Sequence, residues 1–363
     1  MCPTAYILSV KSMKRVKLFS YGKLIISLSV AAAGICAALR YPQACTRGID
    51  EGIALCIEVL VPSLFLFMAL TAYLIASGAA SILAAPLREL SRLLFRLPPE
   101  SMTAILLAVL GGYPIGAGCA AMLYEEGILS ESEAAKTAYI AVASGPGFLL
   151  NYIGRSLLNN PSAGNILLGA QAVGVIVTGI IVGRSVSSAP PTRRSGVSRS
   201  EGNALVQAVH AAGYATFSMC ATVLLFSAVI EVVMTVSDPA AADIVAPLIE
   251  ITTGCRRICT RVPLYITAFC VGFGGIAVHF QIFARLKGIR ISKALFFLFR
   301  IIEGIITMAV TYIYLMIAPT EQAVFSTTTQ SLSAAHPATL AGSGALILLS
   351  LCFIGATTQR TRR

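Results

Sequence analysis

The sequence predicts an all-α polytopic membrane protein with two inverted repeats and broken or re-entrant helices. Hydrophobic residues make up 56% of the 363-residue chain and charged residues only 12%, against about 25% charged residues in an ordinary soluble domain. Several stretches are long enough to cross a bilayer as helices, which takes about 20 apolar residues each. Two of these stretches are interrupted by glycine and proline and resemble one another in sequence.

Hydrophobic segments recur along the whole chain, and their total is expected to lie at about 8–10. They are found at residues 24–39, 53–77, 102–124, 134–153, 164–183, 205–235, 262–284, 294–317 and 338–356. Lys and Arg cluster in the short connections and at both ends, where they set orientation and face anionic headgroups. The formal net charge of +11 therefore indicates membrane lipids as partners and needs no nucleic acid to explain it.

The segments group into two repeats joined by a linker. The predicted regions are 1–47 (a basic segment with the first transmembrane helix), 48–183 (first repeat), 184–204 (flexible basic linker), 205–357 (second repeat) and 358–363 (basic tail). The linker is rich in Ser, Arg and Pro, a composition typical of chain without a packed core.

The two interrupted stretches, at residues 111–117 and 272–278, lie 161 residues apart. Shifting the chain by that offset aligns 86–128 with 247–289 without a gap and with nine identities in 43 positions. The identities include Pro, Glu, Arg and two Gly, which apolar composition alone does not produce. A duplicated pair of broken hydrophobic segments indicates a secondary transporter and marks its binding site.

Charged hairpins follow the two broken segments. The first, at 125–133, has four acids and no base, and the second, at 285–293, has four bases and no acid. Because positive charge stays cytoplasmic, the hairpins are predicted on opposite sides of the membrane, which would make the repeats inverted. An inside N-terminus and an inside linker require an even number of crossings, so one of the first five segments folds back. The candidates hold Gly111–Ala117 or Ser144–Gly147.

Two amphipathic stretches, 86–98 and 247–261, are too short and too charged to span. Arg88, Arg92 and Arg96 recur every four residues in the first stretch, with leucines on the other face. This pattern predicts helices that lie in the membrane interface.

The breaks predict an anion site. Unwound backbone persists in a membrane only where it is buried in protein or faces water. A helix that starts after a break presents free N–H groups and a positive dipole end, which attract carboxylate or phosphate. The candidate solute-binding residues, in the breaks or directly after them, are Gly111, Gly112, Tyr113, Pro114, Gly116, Ser144, Gly145, Pro146, Asn151, Gly274, Gly275, His279 and Gln281. The alternative is that the small residues only allow close helix packing.

Intramembrane ionisable residues are further candidates. His279 could bind solute or titrate near neutral pH, or it could hydrogen-bond between helices, and both interpretations stay open. Glu303 has Arg300 one turn before it, which predicts a local ion pair. Glu58 and Glu231 are ambiguous, since either could reach water near a helix end.

The chain is not expected to be an enzyme. It contains no nucleotide-binding loop, zinc signature or nucleophile elbow, and only three His. No catalytic residue, cofactor or metal is therefore predicted, and a small anionic solute is the expected ligand. A homo-oligomeric state is left open.

Several motifs carry a resemblance to a known family. They are residues 112–117 (Gly-Tyr-Pro-Ile-Gly-Ala), 123–128, 133–134, 144–146, 250–254 and 272–281. In order and spacing they resemble the YlbJ-type sporulation integral membrane proteins, a branch of the nucleoside-recognition Gate domain proteins, over about residues 50 to 317.

The resemblance implies an α-helical protein with paired Gate-like repeats, made by endospore-forming bacteria and needed in later spore development. It also implies movement of dipicolinic acid, a small aromatic dicarboxylate, across the outer forespore membrane. We therefore expect a secondary transporter of a dipicolinate-like organic anion in a bacterial cell membrane. The alternatives are a non-transporting scaffold or assembly factor in spore development, and a nucleoside carrier, which the Gate name suggests.

Overall fold

The computed structural model describes residues 24–186, except 26, 80–81 and 83–84, and residues 203–318. The basic residues 1–23, most of the predicted linker, the last predicted hydrophobic segment and the C-terminal tail lie outside the described residues. Within the described ranges every regular element is a helix. The predicted all-α class is confirmed.

The helices follow one another with short connections. In chain order they are α1 Ser27–Arg40, α2 Pro42–Leu55, α3 Val61–Ala76, α4 Ser101–Gly111, α5 Tyr113–Glu125, α6 Glu131–Ile140, α7 Gly147–Leu157, α8 Pro161–Ser185, α9 Ala204–Val236, α10 Pro239–Ile249, α11 Ile251–Ile258, α12 Leu264–Phe273, α13 Ile276–Arg285 and α14 Lys293–Ile317. Helix α7 is π-helical, and short turns at Cys56–Leu60, Ala85–Leu87, Arg88–Leu90 and Ser91–Phe95 complete the set.

Four helical stretches in the described ranges are long and apolar enough to cross a membrane. They are α8, α9, α14 and the joined pair α12–α13, which runs from Leu264 to Arg285 as one span. Pro42–Leu60 and Leu64–Ala76 form a fifth candidate, bent by 60°. The bend lies at Pro62, where the ring removes a backbone donor and clashes with the preceding turn.

Helices α4 and α5 fold back on each other as a hairpin, called hairpin 1, with Gly112 at its tip. Gly112 has φ +95°, a conformation that favours glycine. A Cβ placed on Gly116 of α5 would lie 3.0 Å from the carbonyl oxygen of Ala104 and would clash with the Cβ of Ala108. Residues 104 and 116 would lie about 18 Å apart in a straight helix. The predicted re-entrant segment is therefore the one that holds Gly111–Ala117.

Helices α10 and α11 form a second hairpin, called hairpin 2, with Glu250 at its tip. A Cβ placed on Gly254 would clash with the backbone of Pro247, seven residues earlier. Pro247 and Gly254 thus face each other across the two arms. Residues 251–255 of the returning arm are buried. The prediction that 247–261 lies in the membrane interface is therefore wrong.

Helices α6 and α7 form a broken span with non-helical backbone at 141–145. The antiparallel helix α8 packs along both of them. Its Gly183 carbonyl accepts a hydrogen bond from Lys136 Nζ at 3.1 Å, whereas Gly164 lies against the backbone of Leu150 and Gly154. The chain therefore crosses the bundle through this break. It does the same through Gly274 and Gly275, the break between α12 and α13.

The two ends of the bundle are defined by side-chain contacts. One end, called the linker end, is marked by three contacts. The hydroxyls of Thr137 and Ser101 lie 2.9 Å apart, and Lys136 Nζ donates to the Gly183 carbonyl. Arg290 Nε lies 2.8 Å from Glu131 Oε1. The other end, the far end, is reached by α9, whose 33 residues span about 50 Å.

This arrangement makes the halves inverted. Hairpin 1 enters from the linker end, after which α6–α7 runs to the far end and α8 returns. Hairpin 2 enters from the far end, after which α12–α13 runs to the linker end and α14 returns. The order hairpin, broken span, span thus occurs twice with opposite direction. The exact repeat boundaries stay a prediction.

Two sequence-based steps toward this conclusion are wrong. The acidic and basic hairpins do not lie on opposite sides, because Glu131 and Arg290 contact each other. Segment 102–124 is a hairpin, whereas 262–284 is a broken span, so the offset of 161 does not relate structurally equivalent segments. Acidic residues contribute little to membrane orientation, so the acidic loop gave no information on sidedness.

Candidate functional site

The site is the point where both hairpin tips meet both span breaks. Gly112 of hairpin 1 lies against Gly145 of the first break, since a Cβ on Gly145 would lie 3.2 Å from the Gly112 nitrogen. Gly275 of the second break lies against hairpin 2, since a Cβ there would lie 3.1 Å from the Ile251 nitrogen. Gly274 and Gly275 have φ of +87° and +77°. The absence of side chains allows these backbones to approach so closely.

Tyr113, the first residue of α5, connects three of these elements. Its hydroxyl donates to the Val271 carbonyl of α12 at 2.6 Å and accepts a short hydrogen bond from the Ser144 hydroxyl. Its ring would lie 3.0 Å from a Cβ on Gly274. Tyr113, whose side chain is buried, thus holds hairpin 1 against both breaks.

Side chains satisfy carbonyl groups at the helix C-termini around the breaks. Arg300 of α14 donates to Tyr139 O at 2.9 Å and to Val142 O at 3.0 Å. His279 Nε2 lies 2.8 Å from Phe273 O, so this nitrogen carries the hydrogen, because a carbonyl only accepts. Together with Tyr113, these donors neutralise the acceptor ends of two helices, α6 and α12.

The N–H ends of three helices are left without such partners. The caps of α5, α7 and α13 are Gly112, Pro146 and Gly275, and among the described residues no side chain caps any of them. Unpaired N–H groups and the positive end of the helix dipole favour an anion. Three helices therefore begin at the breaks without a side-chain cap from the described residues, and the binding of an anion there stays a prediction.

Helix α11 differs, because Glu250 caps it. Its carboxylate accepts from Thr252 N at 2.9 Å and Thr253 N at 2.6 Å, and the side chain is buried. The carboxylate thereby offsets the dipole of its own helix. This residue was missed as a site residue. Its place at the start of the 250–254 motif was a signal that could have identified it, although Glu is not among the preferred N-cap residues.

A cavity of about 50 Å³ lies between these elements. Its polar and backbone lining comprises Gly111, Gly112, Tyr113, Pro114, Gly145, Glu250, Ile251, Thr252 and Gln281, and its apolar wall includes Leu64, Met68, Phe148, Met219, Val223 and Val278. Pockets for small molecules usually measure several hundred Å³. The centre is therefore closed in this conformation.

The structure brings most of the predicted site residues together. Gly111, Gly112, Tyr113, Pro114, Gly145 and Gln281 line the cavity, and Gly274, Gly275, Ser144 and Pro146 lie in the adjoining breaks. Gly116 packs inside hairpin 1. Asn151 lies on α7, half-buried, and is not part of the cavity lining. Which of these residues contact a solute stays a prediction.

His279 lies behind the cavity. It is fully buried, and its ring packs edge-on against Phe273, Phe296 and Phe297 at centroid distances of 4.8, 5.3 and 4.8 Å. Of the two sequence-based interpretations, its position fits a hydrogen bond within the fold better than direct solute contact. The predicted ion pair of Arg300 and Glu303 is confirmed at 2.6 Å, with both side chains fully buried.

Comparison with curated proteins finds similarity to the sporulation integral membrane protein YlbJ of Bacillus subtilis (strain 168). The two sequences are 25% identical over 312 residues, which cover 74% of this chain and 76% of the relative. This supports the YlbJ-type relationship indicated by the motifs. Together with the apolar helices it supports an integral membrane protein. No protein-family profile and no solved structure matches the chain.

Proposed function

We propose that this chain is a secondary transporter of a small organic anion, with dipicolinate as the first candidate, and that it acts in the membrane during endospore formation. The spore context comes from the relative, which is described as a sporulation integral membrane protein. The proposal assigns no chemical reaction to the chain. It places the solute at the meeting point of the two hairpins.

One observation carries the proposal: two oppositely directed hairpins and two broken spans meet around uncapped helix N-termini. Inverted repeats with broken helices at the centre are the architecture of many secondary transporters. A solute bound there can be exposed to one side or the other by movement of one hairpin. The neutralised carbonyl ends and the free N–H ends favour a carboxylate over a cation.

The small volume of the central cavity fits a closed state of such a cycle. A dicarboxylate needs more than about 50 Å³, so binding requires the hairpin tips to separate. The glycine contacts at the tips allow this, because Gly112 meets Gly145, and Gly275 meets Ile251, through backbone atoms. Separation of hairpin 1 would also require the Tyr113 hydrogen bonds to break.

Uptake of labelled dipicolinate into proteoliposomes tests the proposal. Gly275→Leu should abolish uptake, because its Cβ would lie 3.1 Å from Ile251 N at a positive φ. Pro114→Leu should also abolish uptake, since Pro114 lines the central cavity of about 50 Å³ and a larger side chain there would fill the space in front of the breaks. The matched control is Gly213→Leu on α9, where a Cβ meets no atom within 4 Å.

The outcomes separate the candidate functions. Loss of uptake with normal abundance in both site variants supports transport through the centre, whereas unchanged uptake in both contradicts it. If the two site variants are less abundant but take up the normal amount per molecule, the replaced residues serve helix packing, which is the result expected for a scaffold. Competition by uridine or adenosine would identify a nucleoside carrier instead.

A further inference from the structure

Two larger cavities adjoin the central one on the linker side of hairpin 1. One measures about 390 Å³ and shares Met68 and Pro114 with the central cavity. The other measures about 240 Å³ and shares Pro114 and Gln281 with it. Both are lined by Ala215 and Arg285. We call the two together the vestibule.

The walls of the vestibule are mostly small and apolar. Helix α9 contributes Ala208, Ala211, Ala212 and Ala215, and α5 contributes Gly118. Walls of low polarity strengthen the field of any charge that lines them. The sign of that charge therefore determines which solutes collect in front of the centre.

The charge comes from the end of α13. Arg285 lines both cavities and is half-buried, with its guanidinium carbon 5.7 Å from the centre of the Tyr214 ring. Lys287 lines the smaller cavity, and Glu125 lines the larger one. Among the described residues Arg285 has no ion pair within 4.0 Å.

One face of α13 connects this cation to the centre. Val278 and Gln281 line the central cavity, and Arg285 follows on the same face, because positions three, four and seven apart lie together on a helix. Val278 and Arg285 are seven positions apart, which corresponds to about 10 Å along the helix. Arg285 thus lies about two helical turns in front of the uncapped N–H groups.

We propose that the vestibule is a binding site for the carboxylate group of the solute and that Arg285 selects it. Its planar guanidinium can hold a carboxylate by two parallel hydrogen bonds. Lys287 adds positive charge at the rim. The solute then passes Gln281 and Pro114 to reach the central breaks, a step that rests on the proposed function.

The test combines transport and binding of labelled dipicolinate by the full chain. Arg285→Gln should raise the KM for uptake about tenfold or more, since hydrogen bonds to charged groups are strong, and leave the maximal rate within about twofold. Arg285→Lys should recover only part of the affinity lost in Arg285→Gln, because the charge remains but the two parallel hydrogen bonds of the guanidinium are lost. Rising salt should raise the KM of the wild type and have less effect on Arg285→Gln.

A matched control is Arg184→Gln. It removes the same charge at the same end of the bundle, but the Arg184 guanidinium bonds the Leu94 and Ile180 carbonyls and does not line the vestibule. Its KM should equal that of the wild type. A rescue is offered by Gly118→Lys in the Arg285→Gln background, since a Cβ on Gly118 meets no atom within 4 Å. The relocated cation should recover most of the lost affinity.

Equilibrium dialysis of the detergent-solubilised protein separates the two proposals. Binding that depends on Arg285 without uptake would support the vestibule and contradict the transport function. Uptake by the wild type with an unchanged KM in Arg285→Gln would overturn the vestibule and leave transport standing. Absence of both binding and uptake for the wild type would overturn both proposals.

Discussion

Hairpins 1 and 2 occupy corresponding places in the two halves but are stabilised differently. Hairpin 1 has a glycine tip at Gly112, and its arms meet through Gly116 and Ala108 without charged contacts between them. Hairpin 2 has a carboxylate tip at Glu250, which caps its own second arm. The first tip is therefore a neutral backbone turn and the second a charged cap.

The outer parts of the hairpins differ as well. Arg257 of hairpin 2 forms an ion pair with Glu231 of α9 and lies 3.9 Å from Glu51 of α2. Arg261, in the turn after α11, pairs with Asp243 of α10 at 2.5 Å. Hairpin 2 is thus tied to α2 and α9 by charges. Hairpin 1 instead borders the vestibule, so that part of α5 faces a cavity and not a packed neighbouring helix.

This difference bears on the proposed transport function. At the linker end the vestibule reaches Pro114 beside hairpin 1. At the far end hairpin 2 is held by its ion pairs. A conformational cycle would then require hairpin 2 to release Arg257 before the far side can open.

The largest expected effect is at the tip of hairpin 1. Gly112→Ala adds a Cβ to a residue whose φ is +95°. This Cβ would lie 3.4 Å from the Gly145 nitrogen. Such backbone strain costs about 1–3 kcal/mol, so we expect a clear drop in Tm in detergent and loss of uptake. Gly118→Ala, in the middle of α5, should keep or raise the Tm. Equal behaviour of the two variants would contradict a special role for the tip.

A medium effect is expected for the charges that hold hairpin 2. Arg257→Gln removes the pair with Glu231, and the partly exposed position limits the loss of stability to about 1 kcal/mol. Proteolysis or hydrogen exchange should show faster opening of α10 and α11. A double-mutant cycle with Glu231→Gln should give a stabilising coupling energy between Arg257 and Glu231. Additive effects of the two changes would show that the pair does not stabilise hairpin 2.

The smallest effect is expected at the Glu131–Arg290 ion pair of the linker end. The Arg290 guanidinium and its backbone N–H lower the pKa of Glu131 from an ordinary value of 4.5 to about 2. The pair therefore stabilises the folded protein above pH 4.5, and this contribution is lost as the pH falls toward 2.

We expect Glu131→Gln to lower the Tm slightly at neutral pH, with a difference that narrows as the pH falls from 5. Thermal unfolding at several pH values measures this. A difference that stays constant with pH would show that Glu131 acts through packing and not through its charge.

The sequence predicted the breaks correctly because each depends on local chemistry. Gly112, Gly274 and Gly275 adopt positive φ, and Pro114 and Pro146 stand in or next to a first helical turn. These properties are set by the residues themselves. The ion pair of Arg300 and Glu303 could be predicted for the same reason, since three positions on a helix bring two side chains together.

The sequence did not predict correctly how the chain continues after each break. A glycine permits a reversal at Gly112 and a continued span at Gly274, and only packing selects between them. At Gly112 the selection comes from the fit of Gly116 against Ala104 and Ala108. This ambiguity produced the false equivalence of 102–124 with 262–284.

The sequence by itself determined that the chain enters a membrane. It also determined at which positions the helices are interrupted and that glycine and proline cause the interruptions. The reason is that hydrophobicity and dihedral freedom belong to single residues and their neighbours. Only the tertiary structure decided that hairpin 2 exists, that Glu250 lines the central cavity and Arg285 the vestibule, and that the charged loops share one end. These features depend on contacts between residues far apart in the chain, and the pattern of one sequence does not specify which distant segments pack together.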